Sequence, residues 1–96
     1  MDKRLLSIVV PCYNEMQVIP DFYREICLAA QTLSDRVECE FLFIDDGSTD
    51  MTLSILKQYA EEDARVRYVS FSRNFGKEAA LFAGLNHASG DLGVTM

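Results

Sequence analysis

The run Phe41-Leu42-Phe43-Ile44-Asp45-Asp46-Gly47 constrains this chain more than any other part of it. Four consecutive apolar residues bounded by turn formers fit a strand buried on both faces, which requires covering layers above and below. Asp45 and Asp46 then stand at the carboxyl end of that strand, and Gly47 supplies the backbone freedom to turn sharply. Ser48, Thr49 and Asp50 are all good N-cap residues, and one of them is expected to cap the helix that follows. In open α/β sheets the ligand crevice lies outside the carboxyl ends of the strands. Two acids placed there are expected to face a ligand rather than support the core.

The rest of the chain repeats the same alternation. Leu5–Val10 reads as a first strand that Pro11 ends, because proline has no N–H to give to a ladder. A helix is predicted from near Pro20 to about Leu33, with Ile19, Phe22, Ile26 and Leu33 at helical spacing. Cys39–Ile44 is the second strand, and Leu53, Ile55, Leu56 and Tyr59 mark a second helix. Val66–Phe71 alternates as a strand with one poorly covered face. A third helix over residues 76–88 is expected to turn Ala79, Leu81, Phe82 and Leu85 inward, and Leu92–Met96 opens a fourth strand. The order β-α-β-α-β-α-β implies an α/β fold, with a parallel sheet of about four strands between two layers of helices and right-handed crossovers. The expected strand order is 3-2-1-4. Its switch point lies between strands one and four, so the loop Pro11–Glu15 is expected to border the crevice.

Charge and cysteine content remove several function classes. The net charge of −6 argues against nucleic acid, which needs a basic footprint. Three cysteines, Cys12, Cys27 and Cys39, show no C-x-x-C spacing, and His87 is the single histidine. A disulfide framework and a zinc site are therefore not expected, and all three thiols read as reduced core residues. No apolar run approaches the ~20 residues that span a bilayer. The basic-then-apolar N-terminus is broken by Pro11 and lacks a small-residue cleavage site, so it reads as a strand and not as a signal peptide. Neither G-x-G-x-x-G nor a P-loop is present. Ile44 stands where a D-x-D-G-T phosphatase pattern would need its nucleophilic aspartate.

The residues left to carry chemistry cluster at the predicted strand ends. Adjacent strand residues point to opposite faces, so one of Asp45 and Asp46 is expected in the crevice while the other accepts turn N–H groups. An ionised carboxylate only accepts hydrogen bonds, which suits base N–H groups or ribose hydroxyls. Tyr13 can stack on a base, and Glu15 offers a further acceptor. Arg73 and Lys77 flank Gly76 near the start of the third helix, where anions are favoured.

Taken together, Ile8-Val9-Val10-Pro11-Cys12-Tyr13-Asn14-Glu15 and Ile44-Asp45-Asp46-Gly47-Ser48-Thr49-Asp50 resemble the first two motifs of family 2 glycosyltransferases with a GT-A fold. Phe71-Ser72-Arg73-Asn74-Phe75-Gly76-Lys77-Glu78, with Ala83-Gly84-Leu85 and Ser89-Gly90-Asp91, is similar to the branch that moves a sugar from a nucleotide sugar to a polyprenyl phosphate. The resemblance implies that Pro11, Tyr13, Glu15 and one of Asp45/Asp46 hold the base and ribose, with Gly47 also among the nucleotide-binding residues. It places Arg73 and Lys77 near the phosphates. It further implies a UDP- or GDP-sugar donor, a lipid phosphate acceptor, a Mg²⁺ or Mn²⁺ ion, and a cytoplasmic domain of a membrane-associated parent. The family's metal-binding D-x-D is expected after the fourth strand, so residues 1–96 read as the nucleotide-binding half of the domain, with no catalytic or metal-ligating residue of its own. Two other readings follow from the same residues: a non-catalytic nucleotide-binding or regulatory module expected to be complete at this length, and self-association through an edge carrying Leu92, Val94 and Met96.

Overall fold

The computed structural model describes residues 4–94, with side chains described through Gly90. Seven elements alternate along it: β1 (Arg4–Cys12), α1 (Ile19–Thr32), β2 (Val37–Asp45), α2 (Thr52–Glu62), β3 (Val66–Ser70), α3 (Lys77–His87) and β4 (Asp91–Val94). The strands form one parallel sheet in the order β3-β2-β1-β4, as the alternation predicts. β1 and β2 pair from Arg4↔Val37 to Cys12↔Asp45. Among the described residues, β4 pairs with β1 from Leu6↔Asp91 to Val9↔Val94.

The apolar run of β2 explains the three layers. Phe41, Leu42, Phe43 and Ile44 are all fully buried, and successive side chains leave opposite faces of the sheet. Phe41 and Phe43 pack with Ile19 and Ile26 of α1 and Leu56 of α2. Leu42 and Ile44 pack on the other face with Val9 and with Ala80 of α3. Each such side chain contributes about 2 kcal/mol relative to leaving it in water. Tyr23 joins α1 to α2 by stacking on Tyr59 at 4.2 Å, and it meets Phe41 edge-on at 6.4 Å.

Several boundaries depart from the sequence reading. Pro11 does not end β1, which continues through Cys12. The Cys12 carbonyl accepts the Asp46 N–H at 2.8 Å, so alternation turns the Pro11 nitrogen toward the β4 side. There the described pairing runs only to Val9↔Val94, so among the described residues no ladder bond is lost. β2 begins at Val37 instead of Cys39 and reaches Asp45, making Asp45 a strand residue.

The inward face of α3 is also different. Phe82 is 65% exposed and Leu85 57%, while Ala80 and Gly84 are buried. A helix that is apolar all round gives periodicity no direction, and the small side chains win because they let α3 approach Val9 closely. Cys12 and Cys39 are buried, but Cys27 is only half-buried. β4 is an edge strand, and the side chains expected to pair it with a second copy (Leu92, Val94, Met96) lie outside the described residues.

One buried charge stands out in the core. Glu40 of β2 accepts hydrogen bonds from the Ser7 hydroxyl, from Arg67 Nη1 at 2.6 Å and from the Ser89 N–H at 3.0 Å. Burial alone would raise its pKa, but these bonds outweigh it and hold the carboxyl down to about 2, below the ordinary 4.5. A depressed pKa in the folded state stabilises the fold above the ordinary carboxylate range, and that stability is lost as pH falls toward 2. Urea unfolding is expected to show on the order of 2 kcal/mol less stability at pH 2.5 than at pH 6 from this group. Glu40→Gln should flatten that part of the pH profile. An unchanged slope in the variant would contradict the assignment.

Candidate nucleotide-binding site

The candidate site is assembled at the carboxyl ends of β1 and β2. Pro11, Cys12, Tyr13, Glu15, Asp46 and Lys77 line one small cleft of about 120 Å³ there. Tyr13 is 45% exposed at its mouth, and the Glu15 and Lys77 side chains are exposed too. Strand register brings the acid turn beside the Tyr13 loop, and α3 delivers Lys77 from its first turn. The cleft thus gathers an aromatic face, two carboxylates and one ammonium within a single concavity.

The two aspartates are both buried but have different surroundings. Asp45, 1% exposed, accepts the Ser48 N–H at 3.3 Å and lies 3.5 Å from the Ser70 hydroxyl, away from the cleft. Asp46, 4% exposed, lines the cleft. Its Oδ1 accepts the Phe75 N–H at 2.8 Å, and its Oδ2 accepts the Gly76 N–H at 3.0 Å and Asn74 Nδ2 at 3.1 Å. Asp46 therefore holds the Arg73–Lys77 loop against the acid turn. Each carboxylate oxygen has two acceptor positions, so Oδ1 keeps one for a further donor.

Gly47 makes that contact possible. Its φ is +71°, and a Cβ there would lie 2.2 Å from the Arg73 carbonyl carbon and 2.4 Å from the Asn74 nitrogen. Arg73 does not line the cleft; its guanidinium lies 4.7 Å over the exposed Phe75 ring. Of the residues expected at the site, the structure brings Pro11, Tyr13, Glu15, Asp46 and Lys77 together, with Gly47 behind them. Asp45 and Arg73 stand outside.

The Tyr13 loop is held by residues that sequence reasoning treated only as motif members or helix caps. Asn14 Oδ1 accepts the N–H of Thr49 at 2.7 Å and of Asp50 at 3.3 Å, and the Ser48 hydroxyl accepts the Asn14 N–H at 2.9 Å. Thr52 Oγ1 accepts the Glu15 N–H at 2.9 Å, and Asp50 Oδ2 accepts that of Met16 at 3.3 Å. Asn14 has a φ of +51°, the left-handed region that asparagine tolerates better than most residues. That tolerance, in a residue placed between a strand and a helix, is the signal that could have revealed it. The expected N-cap is displaced as well: Met51 occupies the cap position with no side-chain bond, and Asp50 Oδ1 reaches the Thr52 N–H at 2.8 Å.

Asn14→Ala is expected to remove about 1–2 kcal/mol of stability and to loosen Tyr13 and Glu15. Asn14→Gly keeps the backbone conformation without the acceptor. Faster amide exchange at Thr49 and Asp50 in both variants would assign the effect to the side-chain oxygen; protection retained in the glycine variant would refute that role.

Nucleophilic and metal chemistry find little support among the described residues. Burial, then the nearby Glu15 and Asp45 carboxylates, push the Cys12 thiol up to about 12, so it stays protonated and unreactive. No three of the described His, Cys, Asp or Glu side chains converge as a metal site, and N–H donors already take three of the four acceptor positions on Asp46. These residues do not fit the divalent ion that the family resemblance implies. No described helix is long and apolar enough to cross a membrane. A larger cavity, about 760 Å³, opens at the other end of the sheet. Its arginines are already paired, Arg65 with Asp63 and Arg67 with Glu40.

The geometry agrees with what the chain resembles. The sequence model of glycosyl transferase family 2 matches residues 7–96. A prophage bactoprenol glucosyl transferase homolog of Escherichia coli K12 is 50% identical over 90% of this chain. The undecaprenyl-phosphate 4-deoxy-4-formamido-L-arabinose transferase of Salmonella choleraesuis is 37% identical over 95% of it. In both cases the chain spans only 28% of the relative's length. Among solved structures, the mannosyltransferase PcManGT of Pyrobaculum calidifontis, in complex with GDP-Man and Mn²⁺, superposes with a TM-score of 0.75 at 28% identity. That likeness covers 94% of this chain and 26% of the mannosyltransferase. A family match over residues 7–96, nearly the whole length, establishes that the chain belongs to glycosyl transferase family 2.

Proposed function

We propose that this chain is the nucleotide-binding part of an enzyme that transfers a sugar from a nucleotide sugar to a polyprenyl phosphate. The observation that carries the reading is the convergence of Tyr13, Glu15, Asp46 and Lys77 on one cleft at the carboxyl ends of β1 and β2. Crevices at that end of an open α/β sheet are where ligands bind. Tyr13 offers a ring face to a base. Glu15 and the open position on Asp46 Oδ1 accept from base N–H groups or ribose hydroxyls. Lys77, in the first turn of α3, meets the phosphates where helix N–H groups also favour negative charge.

The names of the relatives support a lipid phosphate as acceptor, and the Mn²⁺ and GDP-Man in the structural neighbour support a divalent ion and a nucleotide-sugar donor. In this reading the ion's ligands come from outside the described residues; the lipid phosphate oxygen attacks the anomeric carbon of the sugar as the bond from that carbon to the diphosphate breaks, and the nucleoside diphosphate leaves. The reaction takes place at the cytoplasmic face of a membrane, in a larger protein of which residues 1–96 are one part.

Titration with UDP, GDP and their sugars, followed by amide chemical shifts, tests the nucleotide assignment. Saturable shifts at Tyr13, Glu15, Asp46, Gly47 and Lys77 are expected. No saturable shift, or shifts confined to Cys27, Gln31 and Ser34 at the opposite end of the sheet, would overturn it.

A further inference from the structure

Glu40 has a second role, at the end of the sheet remote from the cleft. Its Oε2 accepts both the Ser7 hydroxyl and the Ser89 N–H, and Ser7 Oγ in turn accepts the Gly90 N–H at 2.9 Å. Arg67 of β3 closes the group, with Nη1 reaching Glu40 at 2.6 Å, Ser89 Oγ at 2.9 Å and the His87 carbonyl at 3.1 Å. One carboxylate on β2 therefore ties β1, β3 and the turn from α3 into β4. Ser7 is fully buried and Glu40 nearly so, which keeps water from competing for these bonds. Gly90 provides an independent constraint at the same turn: a Cβ there would lie 2.3 Å from the Leu5 carbonyl oxygen.

β4 needs such a device. Its described pairing with β1 covers four residues on one side only, and a one-residue slip would reverse which face every side chain meets. We infer that Glu40, acting through Ser7 and Arg67, is a positioning residue that sets the register of β4 where the strand starts. A one-residue slip moves the carboxyl end of β4 by about 3.3 Å along the crevice, far beyond the tolerance of a reacting site. The consequence for the crevice rests on the proposed function; the register itself does not.

The test compares the wild-type chain with Glu40→Ala and Ser7→Ala by amide exchange and interstrand NOEs. In Glu40→Ala, β4 amides are expected to lose at least tenfold more protection than those of Leu42–Ile44, and contacts between Ile8 and Gly93 should be lost or shifted. Equal loss in both strands with the Ile8–Gly93 contacts intact would show that Glu40 contributes general stability only, and would overturn the inference. If Glu40→Ala does not fold, Ser7→Ala decides: it leaves the Glu40–Arg67 pair, and native β4 exchange and contacts in it would equally refute the role. Nucleotide titration of the wild type separates the two readings. Absence of shifts at Tyr13 and Asp46 refutes the proposed function and leaves the register result standing.

Discussion

Gly47→Ala should remove about 3 kcal/mol or more of stability and abolish the proposed nucleotide binding at the cleft. Two effects add. An L residue at φ +71° costs about 1–2 kcal/mol relative to glycine, and the new methyl would lie 2.2 to 2.6 Å from three backbone atoms of Arg73 and Asn74. Backbone cannot rotate away as a flexible side chain can, so the Arg73–Lys77 loop must move off the acid turn. That movement breaks the bonds from Phe75 and Gly76 to Asp46 and displaces Lys77. Urea denaturation and the amide shifts of Phe75 and Gly76 provide the check. A variant with stability within 1 kcal/mol of wild type and unshifted Phe75 and Gly76 amides would contradict the account.

Asp46→Ala has the next largest expected effect, and it reads differently. The Phe75 and Gly76 N–H groups lose their acceptor in a part-buried setting, and Asn74 Nδ2 keeps only the Asp46 main-chain carbonyl at 3.2 Å. A loss of about 3 kcal/mol is expected for hydrogen bonds to a charged group removed from one side only. Nucleotide affinity should fall about 100-fold, the equivalent of one strong charge-assisted contact together with a loosened Lys77. Asp45→Ala provides the contrast. It should lower stability through the Ser48 turn yet leave affinity within a few-fold for the fraction that remains folded, because Asp45 does not line the cleft. Calorimetric titration of both variants with the same nucleotide separates the acids. Equal affinity losses at the two positions would sink the distinction.

These two predictions differ in how far the sequence anticipated them. The need for a turn at Gly47 follows from a glycine after a buried strand, but the object that a Cβ would strike is the backbone of a loop 26 residues later. Pairing of Asp46 with that loop is likewise a long-range contact, which no local pattern encodes. Asn14 has the same character: its side chain spans to Thr49 and Asp50, so its importance becomes visible only when β1 and β2 lie side by side. Glu40 is the clearest case. A glutamate inside a buried strand is an anomaly in the sequence, but its partners come from β1, β3 and the turn before β4.

By itself the sequence determined the order of elements, the parallel sheet and its 3-2-1-4 arrangement, because alternating strands and helices with right-handed crossovers leave few other topologies. It also determined that acids, an aromatic ring and a lysine would meet at one end of that sheet, since chain order places the loops there. Tertiary structure decided which acid enters the cleft, which face α3 buries, and which polar side chains hold the loops in place. Those outcomes depend on contacts between residues distant in sequence. On α3 apolar residues surround the helix, so periodicity names no inward face, and closeness of approach through Ala80 and Gly84 selects it. At Asp45 and Asp46 adjacent and chemically identical side chains leave opposite faces of one strand end, and only the layers packed around them tell the two apart.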